Sequence, residues 1–318
     1  RPSRKPTTWW ASIRRATAFL ATTYGLRVHF YELNSKIELS LTFNGPEPTI
    51  FKFNEENSTT LCKVLHNICH KHYFIKWRNC TSQGLNSHAL SLSKQSNKLI
   101  INGCLPISEW KFSIRARNNL LSLQYSPHRY TARDENGNPV PLGCRRCAHP
   151  RESQSHVLNQ CPYTKALWIN RHDSILEVTV EFLRSNGIEC TVESSYPDVL
   201  PPLEPDITVT DRIKKTVTII DIKSPYDSLQ NIENARSQNE TYYATMAANI
   251  ANHTGYKTSV HTMCVCSLGS WDPRNDKIFL DLGLSQPAIN VLAQSTIRKA
   301  ISVSSKIYRY HVRSDAEP

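Results

Sequence analysis

Apolar residues recur at helical spacing at Trp9, Ile13, Ala16, Phe19 and Leu20, which predicts a helix from Trp9 to about Thr23, ended near Gly25. The period then changes to two. Leu26–Phe30 and Ile37–Phe43 alternate like strands, and the second runs into an Asn-Gly-Pro turn. Helical spacing returns from Thr60 to Ile75, with Leu61, Val64, Leu65, Ile68 and Cys69 on one face. It returns again from Trp110 to Leu123, where the opposite face carries Lys111, Arg115 and Arg117. A turn cluster at 134–139 (Asp-Glu-Asn-Gly-Asn-Pro) closes this first stretch.

The second half alternates more regularly. It reads as a helix over Asp173–Ser185, a proline-rich connector over 194–205, and strands at Asp206–Thr210 and Thr216–Lys223. A long helix over Asp227–Asn252, a strand over Thr258–Leu268 and a last helix over Gln286–Ile307 complete it. The order α, β, β, α, β, α predicts an α/β domain with a mixed sheet. The chain as a whole is expected to be α+β and multi-module. A basic helical or mixed linker module (1–139) is followed by a small knuckle (140–168) and an α/β domain with a mixed central sheet (169–318).

Composition narrows the function. The 318 residues carry a formal net charge of +11, distributed unevenly. Residues 1–150 hold 21 Lys and Arg against 8 Asp and Glu, a net of +13, while residues 151–318 hold 17 against 19, a net of −2. A basic first half calls for a polyanionic partner, because each neutralised phosphate releases condensed counterions. Charge alone fits an anionic membrane surface too, but nucleic acid is the expected partner. No stretch approaches the roughly 18 consecutive apolar residues of a membrane span, so no membrane is expected as a partner. Glycine, at 10 residues, excludes collagen-like and Gly-rich disordered classes. Most of the 10 cysteines stand singly or within apolar segments, which predicts a reduced, intracellular protein rather than a disulfide framework. A chain that starts on Arg is expected to be a piece of a longer protein.

The exceptions among the cysteines form a pattern. Cys144 and Cys147 are separated by two residues, His156 follows after eight more, and Cys161 after a further four. Three thiolates and one imidazole are a complete tetrahedral set for Zn²⁺, and four protein ligands leave no open position, so the ion would be structural. His149 competes with His156 for the imidazole place; the four-residue gap to Cys161 favours His156. Arg145, Arg146 and Arg151 surround the ligands where a knuckle would meet phosphates or bases, and Arg115 and Arg117 extend that basic set. His66, Cys69 and His70 also share a helical face, but an amphipathic helix explains them and no fourth ligand is spaced to join them.

The sharpest chemical expectation comes from strand arithmetic. If the two runs in Asp206–Asp221 pair as a hairpin with the turn centred between Ile213 and Lys214, residues whose numbers sum to 427 face each other. Asp206 then faces Asp221, with Cβ atoms about 5 Å apart on one sheet face. Lys223, two residues on, projects from that face as well. Two carboxylates suit Mg²⁺, which activates water and offsets charge on a phosphoryl transition state, and the lysine can orient the water. A surface hairpin with an Asp221–Lys223 ion pair is the plain alternative.

Glu204-Pro205-Asp206 and Asp221-Ile222-Lys223 resemble the signature of the PD-(D/E)xK restriction-like nucleases. With the Cys-Cys-His-Cys pattern upstream, Arg171-His172-Asp173 between the two and Arg115-Ala-Arg-Asn-Asn-Leu120 before it, residues 105–250 are similar to the C-terminal part of site-specific non-LTR retrotransposon proteins. The resemblance implies a restriction-like fold and a Mg²⁺-dependent endonuclease that nicks genomic target DNA in the nucleus. The free 3′-hydroxyl would prime reverse transcription of the element RNA (target-primed reverse transcription) by an upstream reverse transcriptase domain. It further implies that Asp206 and Asp221 bind the catalytic metal and that Lys223 is the catalytic lysine. Arg171 and His172 match an Arg-His pair with a role near DNA or the active site, and Tyr243 matches a supporting tyrosine after the core motif. Many such proteins carry a lysine before the tyrosine; the stretch Ser237–Tyr243 has none, leaving Lys223 as the candidate. Glu177 is a further candidate metal support, although its setting between Leu176 and Val178 equally fits an exposed polar position. The competing function is a non-catalytic nucleic-acid-binding module that keeps a nuclease fold for docking.

Overall fold

The helical spacing at the start of the chain produces α1 (Trp9–Tyr24), and the alternating runs after Gly25 produce β1 (Leu26–Leu33) and β2 (Lys36–Phe43). A third strand, β3 (Thr49–Phe53), and a long helix, α2 (Ser58–Arg78), follow. The computed structural model describes residues 9–33, 36–43, 49–53, 58–126, 132–193 and 204–313. The chain divides into two units, Arg1–Asn79 and Cys80–Pro318. In the first, β1, β2 and β3 form an antiparallel meander. Buried Tyr24, Leu26 and Leu41 gather Leu20, Val64, Leu65 and Ile68 from the two helices into its core.

The second unit opens with three short helices, α3 (Ser87–Leu90), α4 (Gln95–Ile101) and α5 (Ile107–Arg117). The helix expected at Trp110–Leu123 therefore starts earlier and stops sooner. Asn119 lies in the left-handed region at φ 54°, which ends helical backbone there. After α6 (Gln154–Asn159) and a 3₁₀ turn (Pro162–Thr164) comes α7 (Lys165–Ser185), two turns longer at its start than the polar pattern indicated. The remaining elements are β4 (Thr191–Val192), β5 (Ile207–Asp211), β6 (Thr216–Lys223), α8 (Leu229–Thr254), β7 (Lys257–Cys264), α9 (Arg274–Asp281) and α10 (Gln286–Val312). Most of the connector at 194–205 lies outside the described residues.

The four strands form one mixed sheet in the order β4-β5-β6-β7. The β5–β6 pair is antiparallel in the register the sequence predicts, with Ile207 facing Ile220 and Asp211 facing Thr216. β7 runs parallel to β6, and α8 is the crossover that a parallel pair requires. Because side chains alternate, the two faces of β6 bury different partners. Ile220 and Ile222 pack with Ile207 and Val209 against α7 and α10, in the core that contains Ile175, Leu183, Ile297 and Ile301. Val217 and Ile219 face α8 through Tyr243, Met246 and Ile250. Helices on both faces of a sheet give three layers, and the mixed sheet and α/β order agree with the sequence reading.

Boundaries at 139 and 168 do not coincide with a break in packing. Leu99, Phe112 and Ala116 from the expected linker share one core with Val157 and Leu158 of the knuckle and with the sheet. The break falls instead after Asn79: residues 1–79 close a core of their own, and everything from Cys80 onward belongs to one unit.

Arg117, expected at a nucleic-acid surface, is an anchor in this core. Its guanidinium is 5% exposed and donates to the Leu268 carbonyl, the Ser96 carbonyl and Asn97 Oδ1. Gly269, at φ 89°, lets the loop approach this guanidinium; a Cβ there would lie 2.9 Å from Ile297 and 3.1 Å from Arg117. Buried Asp227 holds the same loop through Leu268 N, Ser270 N and the hydroxyls of Ser267 and Ser270.

Candidate active site and candidate metal centre

Asp206 immediately precedes β5, and Asp221 and Lys223 alternate on β6. Continuing the pairing one step beyond Ile207–Ile220 sets the two aspartates opposite each other. Both are buried, on the face that α8 covers. Lys223 Nζ lies 2.5 Å from Asp221 Oδ2, and Tyr243, from α8, donates its hydroxyl to Asp221 Oδ1 at 3.1 Å. The same hydroxyl lies 3.4 Å from the Glu204 carbonyl. Asp206 Oδ2 accepts the backbone N–H of Ile222 at 2.5 Å and the His172 imidazole Nε2 at 3.2 Å. His172 belongs to α7, on the other layer, so it reaches this group around the end of the strands.

Five side chains from four elements thus meet at one end of the sheet. Burial and the neighbouring Asp206 charge push the Asp221 carboxyl above its usual range, although Lys223 and Tyr243 oppose the shift. The hydrogen bond to Asp206 outweighs burial at His172 and raises its imidazole to about 9, so it is a cation at neutral pH. Burial and the adjoining Asp221 charge push the Tyr243 hydroxyl upward, keeping it a donor. Two buried carboxylates set opposite each other offer oxygen atoms of the type that hard divalent cations take.

The other predicted residues fall differently. Arg171 is 2% exposed and donates to the carbonyls of Leu158 and Ser224 and to Ser304 Oγ. It ties α6 to the strand end and to α10, and its hydrogen bonds go to these groups rather than to the aspartates. Glu177 is exposed on α7. It is five residues from His172, about 140° around the helix, so it points away from the carboxylates.

The four knuckle residues converge. Cys144, Cys147, His156 and Cys161 each offer a ligand atom, all within 4.8 Å of one another. Cys144 Sγ lies 3.9 Å from Cys161 Sγ, and Cys147 Sγ lies 3.3 Å from His156 Nε2. A tetrahedral Zn²⁺ at ordinary bond lengths sets S–S and S–N edges of about 3.8 and 3.6 Å, so the cluster fits this ion. The turn is built locally. Cys144 N donates to the His149 carbonyl, Ser153 caps α6 at His156 N, and Cys161 N donates to the His156 carbonyl. His149 stacks on the His156 ring at 4.0 Å, and it is His156 that joins the three cysteines in the cluster. Burial, aided by the charges of His149 and His311, lowers the His156 imidazole to about 4, its neutral ligating form. Burial pushes the Cys161 thiol up to about 12 and the Cys144 thiol upward; a bound dication reverses that by taking the thiolates as ligands.

The arginines around the knuckle are partly committed to the protein. Arg145 pairs with Glu152 at 2.8 Å. Arg146 donates to the carbonyls of His311 and Arg313 and lies over the Tyr163 ring. Arg151 lies over Tyr125, and exposed Arg115 reaches Ser122 Oγ. Glu152 and His311, which the sequence reading missed, are both fully buried beside Cys144. The available signal was register: His311 continues the apolar face of α10 one turn beyond Ile307.

No model of a known protein family matches the chain. A curated relative is the "Retrovirus-related Pol polyprotein from type-1 retrotransposable element R2" of Nasonia vitripennis, 27% identical over 198 residues. The chain is distantly similar to a retrotransposon polyprotein. The match takes in 60% of this chain but 18% of the relative, so the chain spans less than a fifth of that protein's length. Among the described residues no helix is long and apolar enough to cross a membrane.

Proposed function

We propose that residues 80–318 form a metal-dependent endonuclease that nicks DNA for a non-LTR retrotransposon. The observation that carries this reading is the meeting of Asp206, Asp221 and Lys223 at one strand end. The relative's name supports a retrotransposon origin. In that setting the partners are target DNA, element RNA and a reverse transcriptase domain of the longer protein, and the nick supplies the 3′-hydroxyl that primes synthesis.

Asp206 and Asp221 would hold Mg²⁺, which supplies Lewis acidity and a more acidic bound water. Lys223 offsets negative charge beside Asp221 and is placed to orient a water at a phosphodiester. The His172 cation holds Asp206, and Tyr243 fixes the rotamer of Asp221. Zn²⁺ on Cys144, Cys147, His156 and Cys161 would be structural, since all four positions are protein ligands.

The test is incubation of supercoiled plasmid with Mg²⁺ and the wild type, Asp221→Asn or Lys223→Ala. The wild type is expected to yield open circles and both variants to lose that conversion. Equal nicking by all three overturns the assignment. Duplex binding with no nicking by the wild type replaces it with the binding-module reading.

A further inference from the structure

His311 sits in the last turn of α10, 150 residues beyond the last knuckle ligand in sequence, yet its ring is packed into the knuckle with no solvent exposure. Its Nε2 lies 2.9 Å from Glu152 Oε1 and 3.8 Å from Cys144 Sγ. Glu152 is itself fully buried and saturated, taking Arg145 through both carboxylate oxygens and Gln124 N at 2.6 Å. The carboxylate is therefore committed to hydrogen bonds and is not free to ligate a metal. Arg146, between the two paired cysteines, donates to the carbonyls of His311 and Arg313, which lie at the unpaired end of α10. Tyr163, two residues after Cys161, stacks on Tyr310 at 5.0 Å and meets the His311 ring edge-on. Each segment of the knuckle thus grips the end of one helix.

We propose that His311 is a positioning residue of the zinc centre, and that zinc loading and seating of the C-terminal turns of α10 are one coupled event. The inference rests on the reading that the cluster binds zinc. A metal-bound Cys144 is a thiolate and a better acceptor than a thiol, so the His311 N–H is shared between Glu152 and that sulfur. Partners one step removed from a metal fix ligand orientation, and their loss typically weakens binding about 10- to 100-fold. Coupling of this kind is reciprocal: what holds the helix holds the ion, and the ion holds the helix. Because α10 also packs on α7 and the sheet core, zinc would stiffen the layer that carries His172.

The experiment uses the full chain loaded with Zn²⁺, with two readouts. Chelator competition measures zinc affinity of wild type, His311→Ala, His311→Gln and Ile307→Ala. Hydrogen exchange follows residues 303–313 and, as reference, residues 229–254, with and without zinc. We expect His311→Ala to weaken zinc about 10- to 100-fold. His311→Gln, which keeps a donor toward Glu152, should recover part of that loss. Ile307→Ala, one turn earlier on the buried face, should lower stability with much less effect on zinc. Zinc removal should raise exchange at 303–313 and leave 229–254 unchanged. Wild-type zinc affinity in His311→Ala, or identical exchange at 303–313 with and without zinc, overturns the coupling. If the wild type and Cys144→Ser both fail to bind zinc, the zinc reading itself falls instead.

Discussion

The knuckle and the acidic site are built in opposite ways. The four Cys and His residues of the knuckle candidate come from 18 consecutive residues and their geometry is set by local turns, Ser153 at the start of α6 and a pair of cysteines with two residues between them. The acidic site takes His172 from α7, Asp206 and Asp221 from facing strand ends, Lys223 from β6 and Tyr243 from α8. The first is a set of soft donors that an ion would pull together, adding stability. The second buries two carboxylates near each other, and burial, with the Asp206 charge adding to it, raises the Asp221 carboxyl.

Substitutions can break or sharpen that contrast. The largest effect is expected from Asp221→Asn, which should lower nicking by about 10³-fold or more while leaving the melting temperature equal or slightly higher, because the amide removes like-charge repulsion. Parallel plasmid and melting assays check it; a large fall in stability would make Asp221 structural.

Cys161→Ser, or removal of zinc by chelation, should behave conversely. The melting temperature should drop by more than about 5 °C, with nicking retained in the cold and lost on warming. Loss of nicking at every temperature without loss of stability would merge the two roles.

A buried ion pair outside both sites gives a reference. Asp272, 2% exposed at its side chain, pairs with Arg236 at 2.6 Å and with Arg274. Asp272→Asn should cost about 3 kcal/mol in denaturant unfolding at neutral pH, because it leaves the Arg236 charge buried. Burial opposes ionisation of Asp272, but Arg274 and Arg236 outweigh it and hold the carboxyl below its usual value. A lowered folded-state value means that this stabilisation is full above the ordinary carboxylate range and is lost as pH falls through the folded value. The gap between wild type and Asp272→Asn should therefore narrow on acidification.

The smallest effects probe the rim of the acidic site. Tyr243→Phe removes one hydrogen bond to Asp221 and should slow nicking by roughly 5- to 10-fold. Glu177→Gln, on the exposed face of α7, should change neither rate nor stability; a clear loss of rate would draw that carboxylate into the metal site.

Much of this was legible in the chain. Period-two alternation on either side of the turn fixed the β5–β6 register, since a slip of one residue would turn every apolar side chain of β6 to the wrong face. The convergence of Cys144, Cys147, His156 and Cys161 was legible because they are neighbours in sequence. Arg117 was misread because a cation in a basic segment looks solvated until the fold brings carbonyls to it, here from Leu268 and Ser96.

The sequence by itself determined the hairpin pairing, the ligand quartet and the α/β order, because each depends on spacings along a few turns or one strand pair. Only the tertiary structure decided that His172 reaches Asp206 around the strand end, that the knuckle shares a core with the sheet, and that Glu152 and His311 close behind Cys144. Those contacts include pairs 34 to 167 positions apart, and periodicity records which face a side chain takes, not which distant element will cover it.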